Sequence, residues 1–342
     1  MSGIDKKTVI DLSKKGSRLF RSGQYEEAKD AYLKALEIDQ NNPYVLSGLG
    51  DIYRKLCRFE ESARYYDAVL KIDPTNVFAL RGAGDARRGM QNPEQAIPFW
   101  LRYLEINSRD SHVMVRVADA FHKLGQHKDA ISIYEEALSI TGDDPFALLG
   151  LGNLYYADHE DDKALQCFER LLKGNSQNVV VMTMTGNLYR RRREYDRAIE
   201  NYKNALEIEP GNSFALFGMG DSFRGHQDME QAVFWWGKIL QHEPENQALR
   251  TRVGDAQINL NRLDEAVASY QACLDVGDDI FAYLGLARVE HQKGNIQAAI
   301  GYCEQALKMD NKHARILTEL AILQELAGDD EAAKATRALI SY

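Results

Sequence analysis

Long apolar runs are absent from this sequence. No stretch of about 18 consecutive apolar residues occurs among its 342 residues, so we expect no membrane span. The first seven residues, Met1 to Lys7, carry positive charge but lack the apolar segment of a secretory signal. We therefore expect no secretory leader and a cytoplasmic location.

Cysteine and proline are both rare. The four cysteines lie far apart and form neither a Cys-x-x-Cys motif nor a zinc-binding spacing. They are expected to be small buried residues in a reducing compartment, and no metal site is predicted. Seven prolines, with 44% hydrophobic and 27% charged residues, are typical of a folded, helix-rich chain rather than a disordered one.

An excess of basic residues is also missing. Lysine and arginine number 42 against 51 aspartates and glutamates, which gives a formal net charge of −9. Nucleic acid is therefore disfavoured as a partner, because phosphate contacts need a basic face, although a local basic groove remains open within an acidic protein. No nucleophile and base can be assembled from the sequence, so no catalytic residue, cofactor or enzymatic activity is predicted.

A 34-residue period is what the sequence does contain. The segment Val77–Asp110 recurs in its residue order at Ser213–Asn246, a distance of 136 residues or four periods. Self-similarity at this period is typical of stacked helical repeats. Ten windows result, and they begin at Val9, Pro43, Val77, Ser111, Pro145, Val179, Ser213, Gln247, Ile280 and Ala314.

Two columns of small residues run through these windows. The eighth place holds glycine or alanine in every window, and the twentieth holds alanine or, once, serine. Bulky residues surround them at helical spacing, and an aromatic residue usually stands at the twenty-fourth place. Glycine inside a helix costs about 1 kcal/mol relative to alanine, so its recurrence predicts a close approach of two helices. Each window is therefore expected to form two amphipathic helices.

The pattern resembles the tetratricopeptide repeat family. Leucine at place 4, Leu-Gly at 7 and 8, tyrosine at 11, alanine at 20, tyrosine at 24 and proline at 32 are matched best by the windows from Pro43 and Val179. The resemblance covers about residues 9–342 and implies an all-α fold, a right-handed superhelical solenoid of tandem helix-turn-helix repeats. Departures from the family pattern are Arg87 at place 11, and bulky Tyr103, Leu171 and Ile239 where the family prefers a small residue.

The period also suggests how the chain is organised. We expect residues 1–8 to be a short polar lead and residues 9–342 to be one continuous array. Residues outside the packing columns, such as Arg88-Gly89 and Arg224-Gly225, are echoed 136 positions apart, as are Arg116-Val117 and Arg252-Val253. These echoes favour duplication of a four-repeat block, 43–178 and 179–313, over convergence on one consensus.

Ligand contacts in the family lie on the first helices, at places 2, 5, 9, 12 and 13. Place 2 is often aromatic here, place 9 holds aspartate or asparagine in seven successive windows, and place 12 is often arginine. Side chains three apart on a helix are neighbours, so acids and guanidinium groups are expected to alternate along one stripe. The predicted peptide-binding residues are Tyr44, Asp51, Arg54, Phe78, Asp85, Arg88, Asp119, His122, Phe146, Asn153, Asn187, Arg190, Phe214, Asp221, Arg224 and Asp255.

Each of these residues also has a purely structural interpretation. Acids at place 9 can pair locally between first helices, and aromatics at place 2 can pack on the preceding second helix. Together, however, aromatic pockets, fixed acceptors and forked donors suit an extended peptide. The backbone of such a peptide needs acceptors for its N–H groups and donors for its C=O groups. The family's clamp for a C-terminal carboxylate is not carried over, because Arg81 at place 5 lies beside Asp85 rather than an asparagine.

The sequence thus predicts a non-enzymatic scaffold that binds an extended segment of a protein partner in a concave groove. The alternative is a structural assembly component that docks through its ends or convex face, or self-associates through the C-terminal repeat, where Leu339, Ile340 and Tyr342 lack a covering helix. RNA binding is disfavoured by the acidity of the chain. The run Arg190 to Arg193 is expected to be a solvated helix end or an anchor for an acidic or phosphorylated partner.

Overall fold

Helices make up all the regular secondary structure in the residues that the computed structural model describes, 3–174 and 177–340. Within those ranges there are twenty α-helices in tandem and no strand. The first helices of the repeats are α1 (Gly3–Arg21), α3 (Pro43–Lys55), α5 (Val77–Gly89), α7 (Ser111–Lys123), α9 (Pro145–Ala157), α11 (Val179–Arg191), α13 (Ser213–Gly225), α15 (Gln247–Asn259), α17 (Ile280–Gln292) and α19 (Ala314–Leu326). The second helices are α2 (Tyr25–Ile38), α4 (Phe59–Ile72), α6 (Pro93–Ile106), α8 (His127–Thr141), α10 (Asp161–Gly174), α12 (Tyr195–Ile208), α14 (Met229–Leu240), α16 (Leu263–Leu274), α18 (Ile296–Met309) and α20 (Asp330–Ile340).

The first helices follow the sequence period closely. Nine of them, from α3 to α19, begin at the residue where a 34-residue window begins. Helix α1 differs, because it begins at Gly3, inside the segment expected to be a polar lead. The predicted all-α fold of tandem helix-turn-helix repeats is confirmed.

Capping explains where the first helices start. Asparagine or aspartate precedes eight of them, and its side-chain oxygen accepts a hydrogen bond from a backbone N–H of the first turn. Asn212 Oδ1, for example, accepts from the N–H of Ala215 at 3.0 Å. The eight capping residues are Asn42, Asn76, Asp110, Asp144, Asn178, Asn212, Asn246 and Asp279.

The turn inside every repeat contains one residue with positive φ. Glycine occupies this position in four repeats, as at Gly23 and Gly125. The other six repeats use residues that visit this conformation less readily, such as Cys57 and Arg193. Such a residue reverses the chain after the first helix and satisfies its last carbonyl groups.

The chain forms two compact units, divided between Gly174 and Asn175. Helices α1 to α10 belong to the first unit and α11 to α20 to the second, and within each unit successive helices pack on one another. Aromatic rings at place 24 of the repeats form the centre of both cores, and seven of them are at most 2% exposed. These rings are Tyr66, Trp100, Tyr134 and Phe168 in the first unit, and Tyr202, Trp236 and Tyr270 in the second.

Glycines fit these rings closely. A Cβ atom on Gly84, at place 8, would lie 2.4 Å from Nε1 of Trp100. A Cβ atom on Gly82, at place 6 of the same helix, would lie 2.3 Å from Cζ of Tyr66 in the preceding repeat. Each ring is thus held between a glycine of its own repeat and often one of the next, so the small residues at place 8 accommodate a ring rather than a neighbouring backbone.

Residues that depart from the family pattern find local partners. Arg87 makes a bidentate ion pair with Asp67, at 2.9 and 3.0 Å, and lies over the ring of Phe99. The bulky residues Tyr103, Leu171 and Ile239 are all buried. At the end of the second unit Leu339 is 59% exposed, while Tyr342 lies outside the described residues. No helix within residues 3–174 or 177–340 is long and apolar enough to cross a bilayer.

Candidate functional site

Aromatic side chains at place 2 of the first helices are exposed. They stand in the first turn of the helix, two residues after the capping asparagine or aspartate. Each is more than half exposed, so packing on the preceding second helix covers less than half of it. The exposed fractions are 59% for Tyr44, 68% for Phe78, 68% for Phe146, 78% for Phe214 and 55% for Phe281.

The acceptors at place 9 are engaged within the fold. In four repeats with tyrosine at place 24, its hydroxyl donates to the place 9 side chain of the same repeat. Tyr66 donates to Asp51 at 2.8 Å and Tyr202 to Asn187 at 2.8 Å, and the same bonds join Tyr134 to Asp119 and Tyr270 to Asp255. Where place 24 is Phe168, the Oδ1 of Asn153 is buried and has no partner among the described residues.

These hydrogen bonds and burial raise the pKa of the tyrosine hydroxyls. Burial, and secondly the nearby Asp51 carboxylate, raise the pKa of Tyr66 far above its usual 10.0. Burial and the hydrogen bond to Asp119 raise the pKa of Tyr134 in the same way, and burial with Asp255 does so for Tyr270. All three hydroxyls therefore stay protonated donors at physiological pH, which fixes the place 9 oxygens in position.

Two repeats have tryptophan at place 24, and their place 9 aspartates behave differently. Asp85 is 9% exposed and accepts from Arg116 Nη1 at 2.7 and 3.0 Å, with Arg54 Nη1 at 3.9 Å. Asp221 is 6% exposed and pairs with Arg252 at 3.1 Å and Arg190 at 3.2 Å. Each buried carboxylate is thus held by arginines of the preceding and the following repeat.

The predicted alternation of acid and arginine within one helix is present only in part. Asp51 pairs with Arg54 at 3.1 Å and Asp221 with Arg224 at 3.5 Å. Arg88 makes no such pair with Asp85 in the described structure and lies over the ring of Trp100, 5.9 Å from its centroid. His122 contacts His127, with ring centroids 5.7 Å apart.

Two clefts in the first unit bring predicted residues together. One cleft of about 460 Å³ is lined by Tyr44, Phe78 and Asp51, and also by Phe20 and Tyr32. A second cleft of about 640 Å³ is lined by basic side chains around Asp85. Its charged lining residues are Arg54, Lys55, Asp85, Arg88, Arg116, Asp119 and Lys123.

The second unit has a smaller cleft of about 230 Å³ that corresponds to the cleft around Asp85. Arg224, Arg252, Asp255 and Arg288 line it, above the ring of Trp236. Phe146 and Phe214 line none of these three clefts and stand on the surface as exposed rings. Within the described ranges, no group of three or more histidine, cysteine or acidic side chains is placed to hold a metal ion.

Several residues of these clefts are missing from the sequence-based set. Arg116 and Arg252 stand at place 6, and their only signal in the sequence is that both are echoed 136 positions apart. Arg288 occupies place 9, where the seven preceding repeats have aspartate or asparagine, and pairs with Asp255 at 3.1 Å. Phe20, at the end of α1, stands at place 12 of the first repeat, which is one of the family's contact places, but it is not in the predicted set.

Comparisons with known proteins agree with the repeat architecture. Family models described as "TPR repeat" and "Tetratricopeptide repeat" match residues 16–56, 43–76, 110–177, 181–212 and 254–314. No curated protein matches the chain.

Several solved structures are similar to this chain. The pilF protein of Pseudomonas aeruginosa has a TM-score of 0.52 and 19% identity over 62% of this chain and 96% of its own, a likeness in fold. YrrB, titled a TPR protein with an unusual peptide-binding site, has a TM-score of 0.49 and 20% identity over 55% of this chain and 97% of its own. Yeast Tom70 has a TM-score of 0.41 and 15% identity over 97% of this chain and 91% of its own. On its family-model matches and the twenty tandem helices of its described residues, the chain belongs to the tetratricopeptide repeat family.

Proposed function

We propose that this protein is a non-enzymatic interaction scaffold that binds an extended segment of a protein partner. The segment lies on the first-helix surface, which comprises the residues at places 2, 9 and 12 of the first helices. The observation that carries the proposal is the recurrence of an exposed aromatic ring at place 2 in five repeats. Exposed rings at one repeated position favour a contact surface, since burying them on a partner releases water from apolar area.

The binding mode follows from the spacing of these rings. Each ring can cover an apolar side chain of the segment, and Tyr44 and Phe78 share one cleft in successive repeats. Tyr44 is oriented by a hydrogen bond between its hydroxyl and Ser17 at 2.6 Å, so this ring is preorganised before a ligand arrives. Polar groups at places 9 and 12 supply donors and acceptors for a peptide backbone.

A peptide-library selection tests this proposal. Peptides selected on the wild-type protein are measured against a variant with Phe78→Ala, Phe146→Ala, Phe214→Ala and Phe281→Ala. These rings are mostly exposed, so the variant is expected to fold, while its affinity falls by about tenfold or more. Fluorescence anisotropy measures the affinity, and circular dichroism checks the fold.

The matched control removes four exposed apolar side chains from the second helices. Ile72, Ile106, Ile208 and Met309 are 44–50% exposed and lie near the ends of α4, α6, α12 and α18. Replacing all four by alanine is expected to leave peptide affinity unchanged. Equal losses in both variants, or no loss in the phenylalanine variant, would refute binding on the first-helix surface.

The alternative of assembly through the ends has one specific observation in its favour. Leu326 and Leu339 of the last repeat are 58% and 59% exposed. Sedimentation of the purified protein, compared with a variant carrying Leu326→Lys and Leu339→Lys, distinguishes the two proposals. A discrete oligomer that the variant abolishes would favour assembly, whereas a monomer in both cases favours the scaffold.

A further inference from the structure

Two clusters of basic side chains occur at equivalent positions in the two units. The first basic cluster is Arg54, Arg88 and Arg116 around Asp85, and the second is Arg190, Arg224 and Arg252 around Asp221. Every residue of the second cluster lies 136 positions after its counterpart in the first. The same arrangement is therefore built twice in one chain.

The equivalence extends to the clefts above the clusters. Five residues that line the cleft of the first cluster each have a counterpart, 136 positions later in the sequence, that lines the cleft of the second cluster. These pairs are Arg88 and Arg224, Arg116 and Arg252, Asp119 and Asp255, Ala120 and Ala256, and Lys123 and Asn259. The two clefts are thus lined in part by corresponding residues and are not merely similar in composition.

Positive charge exceeds negative charge at each buried carboxylate. Three guanidinium groups lie around Asp221, at 3.1, 3.2 and 3.5 Å, and its side chain is 5% exposed. A guanidinium has five N–H donors, and one carboxylate accepts only some of those that surround it. In both clusters one donor is left over, because the Nε atoms of Arg54 and Arg190 are buried without a partner among the described residues.

The cleft beside the first basic cluster also contains basic side chains that form no ion pair with any described residue. Arg88, Lys55 and Lys123 are exposed and line this cleft. The guanidinium of Arg88 lies 5.9 Å from the centre of the Trp100 ring, and that of Arg224 lies 5.9 Å from the Trp236 ring. The buried indole below each arginine helps to hold it in place, so these donors are oriented before a ligand binds.

We infer that the two basic clusters are equivalent oxyanion sites, each of which binds an acidic side chain within the partner segment. The ligand chemistry is a carboxylate or a phosphoester oxygen on an internal residue of an extended peptide. Forked guanidinium donors match both groups. This inference rests on the proposed function, because the same segment that contacts the aromatic rings carries the oxyanion. A peptide is favoured over nucleic acid because the chain has a net charge of −9 and Asp119 and Asp255 border the clefts.

Three short peptides with capped ends provide the probes. One contains consecutive glutamates, one contains a single phosphoserine between glycines, and one contains glutamines at the glutamate positions. We expect the glutamate peptide or the phosphoserine peptide to bind with two sites per chain by calorimetry, and the one that binds tighter identifies the source of the oxyanion. Binding should weaken as salt is raised, and the glutamine peptide should not bind. Capped ends exclude capture of a terminal carboxylate.

Single and double variants test the assignment. Arg88→Ala should reduce the number of sites from two to one, and adding Arg224→Ala should remove both. Both side chains are exposed or half-exposed, so neither change is expected to unfold the protein. The matched control carries Arg64→Ala and Lys203→Ala, which remove two exposed charges from α4 and α12 and should keep two sites. Arg116 and Arg252 are left intact, because their removal would take an ion-pair partner from the buried carboxylates of Asp85 and Asp221.

The outcomes separate this inference from the proposed function. No binding of either acidic peptide, or equal binding by the double variant and the wild type, would overturn the oxyanion sites. Selected peptides that need the phenylalanines but contain no acidic residue would retain the scaffold and reject these sites. Tighter binding of single-stranded oligouridylate than of both acidic peptides would also overturn the inference, since nucleic acid would then be the ligand.

Discussion

At the scale of single residues, the ring at place 24 determines the role of its neighbours. A tyrosine there engages the place 9 acceptor through its hydroxyl, as Tyr66 does with Asp51. A tryptophan has no such oxygen, and the buried carboxylate of Asp85 is held by arginines of the adjacent repeats, among them Arg116. The place 9 aspartates beside a tryptophan thus lack the hydroxyl bond and have arginines as their partners.

The glycine under a tryptophan ring gives the first prediction at this scale. Gly84→Ala would place a methyl group 2.4 Å from Nε1 of Trp100, a ring that is fully buried in the core. Overpacking of this kind costs about 1–3 kcal/mol, which exceeds the roughly 1 kcal/mol that alanine gains in helix propensity. The midpoint of urea unfolding, followed by circular dichroism, should therefore fall.

Gly301→Ala is the matched control. Gly301 also lies inside a helix, α18, but no atom lies within 4 Å of the position its Cβ would occupy. Alanine there should leave the unfolding midpoint unchanged or raise it. A loss of stability at Gly301 as large as at Gly84 would show that contact with the ring is not the cause.

The glycine contacts also show what the sequence can predict at the scale of single residues. The glycines at place 8 are predictable as packing residues, because the ring that they contact lies in the same window. The contact between Gly82 and Tyr66 crosses a repeat boundary, and the contact between Arg116 and Asp85 does so as well. Interactions between repeats depend on how two windows stack, which a pattern within one window does not contain.

At the scale of the helix, stability depends on the caps of the first helices. Asn212→Ala should remove the hydrogen bond from the Ala215 N–H to Asn212 Oδ1, made at 3.0 Å, and leave that N–H without its cap. The expected loss is about 0.5–2 kcal/mol in the free energy of unfolding. Urea unfolding measures this loss.

Asn295 offers a control that matches Asn212 closely. It occupies the N-cap position of α18 without a side-chain cap bond. Both asparagines donate their side-chain amide to a preceding glutamate, Asn212 to Glu209 at 2.9 Å and Asn295 to Glu290 at 2.7 Å. Asn295→Ala therefore removes only that exposed contact and should cost less. Equal losses at the two positions would assign the effect to the glutamate contacts and not to the cap.

Helix starts were largely predictable from the sequence, whereas some turns were not. Asparagine or aspartate before a periodic apolar segment indicates the start of α3 or α13, because the same residue supplies the cap. Helix α1 starts earlier than the period predicts, since the pattern of one window does not determine how far a terminal helix continues. The turns at Cys57 and Arg193 adopt positive φ without glycine, because the packing of the two flanking helices fixes the chain reversal.

At the scale of the whole molecule, the 136-residue echo is the feature that joins sequence to the proposed sites. It was visible in the sequence at Arg88 and Arg224, and these residues occupy corresponding places in two clefts. The convergence of three arginines on Asp221 was not visible, because those arginines come from three repeats. The echo therefore indicates that a surface is repeated, while the fold determines which charges meet there.

Buried hydroxyls and thiols throughout both units give a prediction for the molecule as a whole. Burial raises the pKa of Cys167 and Cys273 to about 11 and that of Cys303 to about 12, from a usual 9.0. Burial likewise raises the pKa of Tyr66 and Tyr270 far above 10.0. Because the folded pKa exceeds the unfolded one, their contribution to stability is complete below the unfolded pKa and is lost as pH rises through the folded pKa. Under reducing conditions, the urea midpoint should therefore fall steadily above about pH 9.

Tyr270→Phe tests whether buried ionisation causes this alkaline loss. The position tolerates phenylalanine, since Phe168 fills the same place in another repeat and is equally buried. At neutral pH the variant should be slightly less stable, because the 2.8 Å hydrogen bond to Asp255 is gone. At about pH 10 to 11 its midpoint should fall less than that of the wild type, because one group fewer must remain protonated in the folded state. A parallel decline in the two proteins would rule out Tyr270 as a source, and a midpoint independent of pH over this range would rule out the buried groups altogether.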